Sequence, residues 1–253
     1  MINVDTAVIL AAGMGTRLKD HTQERPKGFL EIDGQSLIER SIKHLIDNGI
    51  SRIVMGTGYF HEHFDELKNK FPGITTLRNV DYATTGSMYT LYVVRELVKR
   101  PFLLLESDLL YDPAALNFLL ADKRPDIILA SGKTNSGDEV YIQHSTTGLL
   151  QNMSKDRSQL KHISGELVGI SKISSALLEK MVTFAGNHFS KGKRMMNYED
   201  ALVGASIEHD IFIKDVDDLA WWEIDDENHL QRALNLVYPK ILERTALTRR
   251  ARR

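Results

Sequence analysis

Two glycines, an arginine and a lysine follow an apolar run near the start of the chain. The segment reads VILAAGMGTRLKDHTQERPKGFLEI over residues 8–32 and contains Gly13, Gly15, Arg17 and Lys27. Glycine lets the backbone approach an anion closely and point its N–H groups at it. Arginine adds a planar fork of donors, and lysine adds a mobile positive charge. This spacing predicts a loop that binds the phosphates of a nucleoside triphosphate; the alternative is a tight turn with surface cations.

Two aspartates follow apolar, strand-like runs elsewhere in the chain. Asp108 ends the run FLLLESD, and Asp225 ends AWWEID. Mg²⁺ prefers oxygen ligands and takes few of them from protein, so Asp108 and Asp225 are the predicted metal ligands. The alternative is that each caps the helix predicted after it, but Asp112 and Asp226 lie closer to those helices.

The elements that must position these residues alternate between strand and helix patterns up to about residue 130. This alternation predicts a mostly parallel sheet with helices on both faces, and ligands bind beyond the carboxyl ends of such strands. After Gly132 the pattern changes to an antiparallel hairpin and further strands. We expect residues 133–224 to extend the same sheet over its carboxyl edge. The predicted organisation is one domain over residues 1–242, with a core at 1–132, followed by a basic tail or linker at 243–253.

Composition excludes several classes of protein. The chain has 253 residues, no cysteine and a formal net charge of −2. It therefore offers no disulfide, no thiolate nucleophile and no global electrostatic case for binding nucleic acid. No apolar run approaches the roughly 20 residues needed to cross a bilayer, and the N-terminus lacks the pattern of a secretory signal. We expect a cytoplasmic protein. Four arginines among the last five residues predict a solvated tail or the start of a linker, with a nucleic-acid or membrane contact as the alternative.

The opening segment resembles the signature of the sugar-phosphate and alkyl-phosphate nucleotidyltransferases. The resemblance lies in ILAAGMGTRL, followed by RPKGFLEIDGQSLIERSI. The segment is neither a P-loop, because no Gly-Lys-Ser/Thr ends it, nor a Rossmann fingerprint, because Leu18 stands at the third glycine position. It departs from the family only at Asp20, where proline is usual. The resemblance implies a Rossmann-like, nucleotide-diphospho-sugar transferase-like fold and contacts to the nucleotide from Leu10, Ala11, Ala12, Gly13, Gly15, Thr16, Arg17 and Lys27.

A second segment, NVDYATTGSMYTLY at residues 79–92, resembles the loop that reads the base in the phosphocholine and aminoalkyl-phosphonate cytidylyltransferases. The resemblance implies that CTP is the co-substrate and that Thr85, Gly86 and Ser87 contact its pyrimidine. The alternative is a helix capped by Thr85 or Ser87, with the apolar side chains that follow in the core.

The order of the later motifs, including GDEVYIQ, NYEDAL and WWEID, matches the same branch, whose acceptors carry an amine or a quaternary amine. A trimethylammonium group is usually held in an aromatic cage, for which the candidates are Tyr82, Tyr141, Trp221 and Trp222. A primary ammonium prefers carboxylates, for which the candidates are Glu139, Glu166, Glu199 and Asp200. Lys133 and Lys155 are candidates for the acceptor phosphonate. The alternatives are core packing for the tryptophans, a solvated helix start for the acids at 199 and 200, and a surface position for the lysines.

These resemblances favour a cytidylyltransferase that transfers CMP from CTP to 2-aminoethylphosphonate and releases pyrophosphate. Phosphocholine or phosphoethanolamine is the alternative acceptor. A sugar-1-phosphate nucleotidyltransferase and a non-catalytic regulatory subunit are further alternatives. In the predicted mechanism Arg17 and Lys27 hold the triphosphate, while Asp108 and Asp225 hold Mg²⁺. The predicted partners are small molecules, without nucleic acid or membrane insertion; fusion to a second enzyme domain after the C-terminus and the oligomeric state stay open.

Overall fold

The computed structural model describes residues 4–251, and within this range it leaves aside the side chains of residues 19–21 and 248–251. The strands are β1 (Thr6–Ala11), β2 (Glu31–Ile32), β3 (Gln35–Ser36), β4 (Arg52–Thr57), β5 (Ile74–Arg78), β6 (Phe102–Glu106), β7 (Leu109–Tyr111), β8 (Ile127–Ser131), β9 (Tyr141–His144), β10 (Leu150–Ser154), β11 (Gly165–Ile173), β12 (Phe212–Asp215) and β13 (Trp221–Glu223). The α-helices are α1 (Leu37–Asp47), α2 (His61–Lys70), α3 (Ser87–Val94), α4 (Ala114–Leu120), α5 (Ser175–Phe189), α6 (Tyr198–Ala205), α7 (Glu227–Arg232) and α8 (Tyr238–Ala251).

Nine of these strands form one central sheet. β5, β4, β1 and β6 lie side by side and parallel. β11 runs antiparallel to β6 and to β8, so β8 has the same direction as β6 although an inserted strand separates them. β12 pairs parallel with β8, while β9 and β10 form an antiparallel hairpin beside β11. The mostly parallel α/β fold is therefore confirmed. Since strands on both sides of Gly132 share this sheet, the sheet itself offers no division between them.

Helices cover the sheet on both faces because its inner strands are apolar on both sides. Every residue of β1 is buried, as expected for a parallel strand between two helical layers. One apolar cluster packs α3, α5 and α6 against the sheet, and a second packs α1, α2 and α4 against the opposite face. Helix α1 begins as predicted, with the Ser36 hydroxyl accepting from the Glu39 N–H at 3.3 Å. These two layers fix the strands whose carboxyl ends carry the site.

A small two-stranded sheet brings the distant aspartates together. β7 pairs antiparallel with β13, so that Leu109 lies opposite Glu223. The Ile224 N–H donates to the Asp108 carbonyl at 3.1 Å. A third apolar cluster, which includes Trp222, packs α7 and α8 against this pair of strands. The turn after β6 and the turn after β13 therefore meet, although more than a hundred residues separate them.

Three local predictions are corrected. The strands before Asp108 and Asp225 end at Glu106 and Glu223, so each aspartate lies two residues beyond its strand. Gly86 occupies the N-cap position of α3 without a side-chain cap, because the Thr85 and Ser87 hydroxyls bond elsewhere. The tail predicted from residue 243 is helical to Ala251, and its last two residues lie outside the described range. Over residues 4–251, no helix is both long and apolar enough to cross a membrane.

Candidate active site

A pocket lies at the carboxyl ends of the parallel strands, where the sequence predicts ligand binding. It is lined by backbone and side chains from the loop after β1, the turns after β6 and β13, the start of α3, the loop after β8 and the start of α6. The predicted site residues that line it are Leu10, Ala11, Ala12, Gly13, Lys27, Tyr82, Thr85, Gly86, Ser87, Asp108, Glu139, Lys155, Glu166, Glu199, Trp221, Trp222 and Asp225. The tertiary structure thus collects residues from widely separated segments of the chain.

Gly15 shapes the loop after β1. Its φ of 62° lies in the left-handed region, which glycine adopts without steric cost. A Cβ atom at this position would lie 2.5 Å from Lys27 Cγ. The Gly15 carbonyl accepts from the Thr22 hydroxyl at 3.0 Å, which closes the loop on itself. Gly15 therefore makes room for the lysine side chain and does not itself line the pocket.

Lys27 joins the two predicted metal ligands. Its Nζ lies 2.5 Å from Asp108 Oδ2 and 2.6 Å from Asp225 Oδ1. Burial tends to lower the pKa of this ammonium, but the Asp108 and Asp225 carboxylates outweigh burial and raise the pKa above its usual range. Lys27 is therefore charged at any physiological pH. The groups predicted to neutralise a triphosphate and the groups predicted to hold a metal are paired with each other.

The ion pairs continue towards the mouth of the pocket. Arg17 Nη2 lies 2.8 Å from Asp225 Oδ1, and Arg17 Nη1 lies 2.8 Å from Asp138 Oδ2. Lys155 Nζ lies 2.7 Å from the other oxygen of Asp138. Burial opposes ionisation of Asp225, but Lys27 and Arg17 prevail and hold the pKa of this carboxyl below its ordinary value. Asp138 was not among the predicted site residues, although it lies in the GDEVYIQ motif at residues 137–143.

Beyond Asp108 the pocket becomes acidic. One carboxylate oxygen each of Glu106, Asp108 and Glu223 lies within 4.8 Å of the others, so this trio could hold a metal ion. Burial, with the neighbouring acids, raises the pKa of Glu106 to about 8 and raises that of Glu223 well above its usual value. Neither glutamate was among the predicted site residues. The signal was the Glu-x-Asp spacing after two strands, ESD at 106–108 and EID at 223–225.

The start of α6 closes this acidic end. The Tyr198 hydroxyl donates to Glu106 Oε1 at 2.6 Å, and the Tyr198 N–H donates to the Ser87 hydroxyl at 2.9 Å. Glu199 also lines the pocket, and its Oε2 is buried with no hydrogen-bond partner among the described residues. Burial raises the pKa of Glu199 to about 7. Tyr198 was not predicted, because an NYED sequence is typical of an ordinary helix start.

The predicted base-reading loop is ordered by its own hydrogen bonds. The buried Asn79 amide donates to the Thr85 hydroxyl at 2.9 Å and to the Thr90 hydroxyl at 3.1 Å. Ser87 is engaged with Tyr198, as described above. The loop after β5 is therefore tied both to the helix that follows it and to the acidic end of the pocket. The prediction that Thr85, Gly86 and Ser87 contact a pyrimidine stays a prediction.

Several predicted site residues lie outside the pocket lining. They are Gly15, Thr16, Arg17, Lys133, Tyr141 and Asp200. Arg17 still reaches two carboxylates at the mouth of the pocket. Asp200 is exposed and accepts from the Asn197 N–H at 2.9 Å, so it caps α6, which was the alternative interpretation. Lys133 lines neighbouring grooves, and the Tyr141 hydroxyl donates to Glu139 at 3.2 Å.

Of the four aromatic candidates, Tyr82, Trp221 and Trp222 line the pocket, whereas Tyr141 does not. Among the described residues, no two of the rings of Tyr82, Tyr141, Trp221 and Trp222 contact each other. Trp222 is buried in the apolar cluster beneath α7 and packs edge-on against His229, with ring centroids 5.5 Å apart. Of the four carboxylate candidates, Glu139, Glu166 and Glu199 line the pocket. Glu166 already accepts from the Thr134 N–H at 2.8 Å.

The fold and this collection of charges define a nucleotidyltransferase of the nucleotide-diphospho-sugar transferase fold. Residues 7–170 match the MobA-like NTP transferase domain, and the chain belongs to that family. It is 28% identical over 220 residues to the choline-phosphate cytidylyltransferase of Streptococcus pneumoniae, an alignment that covers 87% of this chain and 92% of that protein. It is 27% identical over 237 residues to the CMP-5'-(3-aminopropyl)phosphonate synthase of Streptomyces rubellomurinus, covering 90% of this chain and 38% of that protein.

A solved structure of the CTP:phosphocholine cytidylyltransferase from Streptococcus pneumoniae superposes with a TM-score of 0.79 at 26% identity, covering 93% of this chain and 99% of the other. The predicted family and the predicted enzyme class are therefore confirmed. The acceptor differs between these relatives, so their names leave it undecided.

Proposed function

We propose that this enzyme transfers CMP from CTP to a small acceptor that carries a phosphonate or phosphate and a primary ammonium group, with 2-aminoethylphosphonate as the first choice. The observation that carries the proposal is the acidic end of the pocket. Among the described residues, no cation lies within ion-pair distance of Glu106, Glu199 or Glu223.

An isolated buried carboxylate is costly, and it is stabilised either by a proton or by a cation. A bound ammonium group would supply that cation and three N–H donors. The Tyr198 hydroxyl fixes the orientation of Glu106, and the buried oxygen of Glu199 is free to accept. A primary ammonium uses such oxygens as hydrogen-bond acceptors, whereas a trimethylammonium group has no N–H to donate.

Phosphocholine is the second candidate acceptor, because the relative that aligns over 92% of its length is named a choline-phosphate cytidylyltransferase. A quaternary amine is recognised through aromatic faces. The four aromatic candidates of this chain do not form mutual ring contacts in the described structure. Charge attraction to the acidic end would still favour this acceptor, but without the hydrogen bonds.

In the proposed reaction, an oxygen of the acceptor phosphonate attacks the α-phosphorus of CTP in line with the bond to the β-phosphate. The new P–O bond forms as the α–β P–O bond breaks, and pyrophosphate leaves with the electron pair. The acceptor oxygen is already anionic, so no strong general base is required. Arg17 and Lys27 exchange their carboxylate partners for phosphate oxygens and neutralise the charge that develops on the leaving group.

The donor set fits a divalent metal. Asp108 and Asp225 both lie against the Lys27 ammonium, at 2.5 and 2.6 Å, and Asp225 Oδ2 is a buried acceptor with no hydrogen-bond partner among the described residues. Oxygen ligands of this kind suit Mg²⁺. A bound Mg²⁺ would neutralise phosphate charge and lower the barrier to attack. Its ligands would be the predicted pair, Asp108 and Asp225, which leaves Glu106 and Glu223 to the ammonium group of the acceptor.

The test is pyrophosphate release with CTP and Mg²⁺, using 2-aminoethylphosphonate, phosphoethanolamine, phosphocholine and glucose-1-phosphate as acceptors. We expect the highest kcat/KM with 2-aminoethylphosphonate, a lower value with phosphocholine and none with the sugar phosphate. Exchanging CTP for UTP, ATP or GTP tests the nucleotide. Preference for phosphocholine would overturn the choice of acceptor, and release with glucose-1-phosphate alone would overturn the proposed class of acceptor.

A further inference from the structure

Asp138 connects two cations that come from different parts of the chain. Its Oδ2 accepts from Arg17 Nη1 at 2.8 Å, and its Oδ1 accepts from Lys155 Nζ at 2.7 Å. Arg17 belongs to the loop after β1, whereas Lys155 follows β10. A single carboxylate therefore links the nucleotide loop to the antiparallel hairpin, and it uses one oxygen for each cation.

The loop that carries Asp138 is held at several points. The Thr134 N–H donates to Glu166 at 2.8 Å, and Arg232 donates to the Thr134 carbonyl at 3.0 Å. His229 accepts the Asp225 N–H on Nδ1, so its Nε2 carries the proton and donates to the Ser136 carbonyl at 3.1 Å. These bonds tie the Asp138 loop to β11 and to α7, and thereby to the turn that contains Asp225.

The exposures of the three side chains indicate which one is the anchor. The Asp138 side chain is 21% exposed, whereas those of Arg17 and Lys155 are 54% and 53% exposed. A long, half-exposed cationic side chain keeps much of its conformational freedom unless a partner fixes it. An ion pair at the protein surface contributes little to stability. A carboxylate on a tethered loop can fix both of them in one direction.

We propose that Asp138 is a positioning residue for nucleotidyl transfer, which orients Arg17 and Lys155 towards the phosphates of the bound nucleotide. This inference rests on the proposed function, in which Arg17 binds the triphosphate of CTP. Preorganised charges lower the barrier more than charges that must reorient during the reaction. The same carboxylate also cancels positive charge at the mouth of the pocket. Its loss should therefore lower turnover without weakening the binding of CTP.

The variants are Asp138→Asn and Asp138→Glu, with Glu39→Gln as a matched control. Glu39 also accepts from a lysine, Lys70, at 2.7 Å, and its side chain is 22% exposed, but it lies on α1 and does not line the pocket. With CTP and the preferred acceptor, we expect Asp138→Asn to lower kcat about tenfold while the KM for CTP stays the same or falls. Asp138→Glu should recover part of kcat, and Glu39→Gln should match the wild type.

A double-mutant cycle shows whether Asp138 acts through the arginine. In an Arg17→Ala background, Asp138→Asn should lower kcat less than it does alone, because one of the two groups that Asp138 orients has gone. An undiminished effect in that background would overturn the proposal, as would an unchanged kcat in the single variant. A rise in the KM for CTP equal to the fall in kcat/KM would also overturn it, because it would mean lost binding.

A second readout does not depend on turnover. Arginine side-chain ¹⁵N–¹H spectra of the free protein, with Arg17 assigned from its disappearance in Arg17→Lys, report how rigidly this guanidinium is held. We expect hydrogen exchange at Arg17 to accelerate in Asp138→Asn and to stay unchanged in Glu39→Gln. Unchanged exchange in Asp138→Asn would overturn the proposal. If the wild type releases no pyrophosphate with any acceptor, the proposed function fails, while this spectrum still decides the role of Asp138.

Discussion

The two ends of the pocket differ in how their charges are balanced. At the nucleotide end, carboxylates and cations alternate from Asp108 through Lys27, Asp225 and Arg17 to Asp138, with separations of 2.5–2.8 Å. At the acidic end, Glu106, Glu199 and Glu223 have no cation within ion-pair distance among the described residues. Asp108 lies where the two ends meet. The same pocket is therefore neutralised by ion pairs on one side, whereas the three glutamates on the other side have no ion-paired cation among the described residues.

The difference indicates what each end requires from a ligand. Breaking a buried ion pair leaves an uncompensated charge. An anion that displaces Asp108 and Asp225 from Lys27 and Arg17 must therefore provide these cations with new negative partners. Phosphate oxygens do so. An acidic end with raised pKa values is stabilised by an added cation. A substrate pair with phosphates at one end and an ammonium at the other complements both, as the proposed CTP and aminoalkyl phosphonate would.

The largest expected effect comes from breaking the nucleotide end at Lys27. Lys27→Ala leaves Asp108 and Asp225 adjacent without the ammonium that both contact, and it removes positive charge from the leaving group. We expect kcat to fall by about 10²–10³, the range seen when one preorganised group is removed from a reacting centre. Pyrophosphate release at saturating CTP and acceptor measures it. Lys70→Ala, which breaks an ion pair with Glu39 away from the pocket, is the control. Wild-type turnover in Lys27→Ala would contradict the proposed role of Lys27 in binding the triphosphate.

The next effect sharpens the acidic end. Glu223→Gln keeps the shape of the side chain and removes its charge, so an ammonium loses one charged hydrogen bond, worth about 1.5–3 kcal/mol. We expect the KM for 2-aminoethylphosphonate to rise at least about tenfold, while the KM for CTP changes little. Steady-state kinetics with each substrate varied in turn separate the two constants. Glu208→Gln, which breaks a surface ion pair with Lys180, is the control and should change neither KM. An equal rise of the two KM values in Glu223→Gln would contradict the division of the pocket into two ends.

A smaller effect distinguishes two glycines of the nucleotide loop. Gly15→Ala places a Cβ atom 2.5 Å from Lys27 Cγ at a residue whose φ is 62°. We expect it to reduce the free energy of unfolding by about 1–2 kcal/mol and to lower kcat through Lys27. Gly13→Ala is the matched control for stability, because its Cβ atom would meet nothing within 4 Å. Urea denaturation of both variants tests this, and equal stabilities would show that Gly15 is not required for the loop.

The smallest effect is a pH dependence of stability. Burial, with the neighbouring acids, raises the pKa of Glu106 to about 8 and that of Glu199 to about 7, from an ordinary 4.5. At a pH between the ordinary value and the raised value, the carboxyl is protonated in the folded protein and ionised in the unfolded chain. Unfolding therefore releases protons in this range. The free energy of unfolding of the metal-free and ligand-free protein should therefore fall as pH rises from about 5 to 8. Denaturation in EDTA at pH 5.5 and 8 measures the change.

Glu106→Gln should flatten this pH dependence, because a glutamine holds no titrating proton. Glu208→Gln serves as the control. The Lys180 ammonium holds the pKa of the Glu208 carboxyl below its ordinary value, so removing this carboxyl changes the pH dependence only at more acidic pH. A free energy of unfolding that rises between pH 5.5 and 8 would mean that the acidic end already contains compensating positive charge.

The amino-acid sequence by itself determined the family, the mostly parallel sheet and the glycine-containing loop after β1. These features follow from local signals: apolar runs fix strands, apolar residues at helical spacing fix α1, and the spacing of Gly13, Gly15, Arg17 and Lys27 constrains one loop. The same locality explains why Asp108 and Asp225 could be selected, since each follows an apolar strand.

Only the tertiary structure decided which side chains meet. Nothing in the local sequence signals that β13 pairs with β7, and this pairing brings Glu223 and Asp225 beside Glu106 and Asp108. The Glu-x-Asp spacing is present in the sequence of both turns, but neither turn by itself predicts that the two meet. Asp138, Tyr198 and His229 become part of the site for the same reason. Charges act through space over a few ångströms, and the distances between segments are set by the packing of the whole chain.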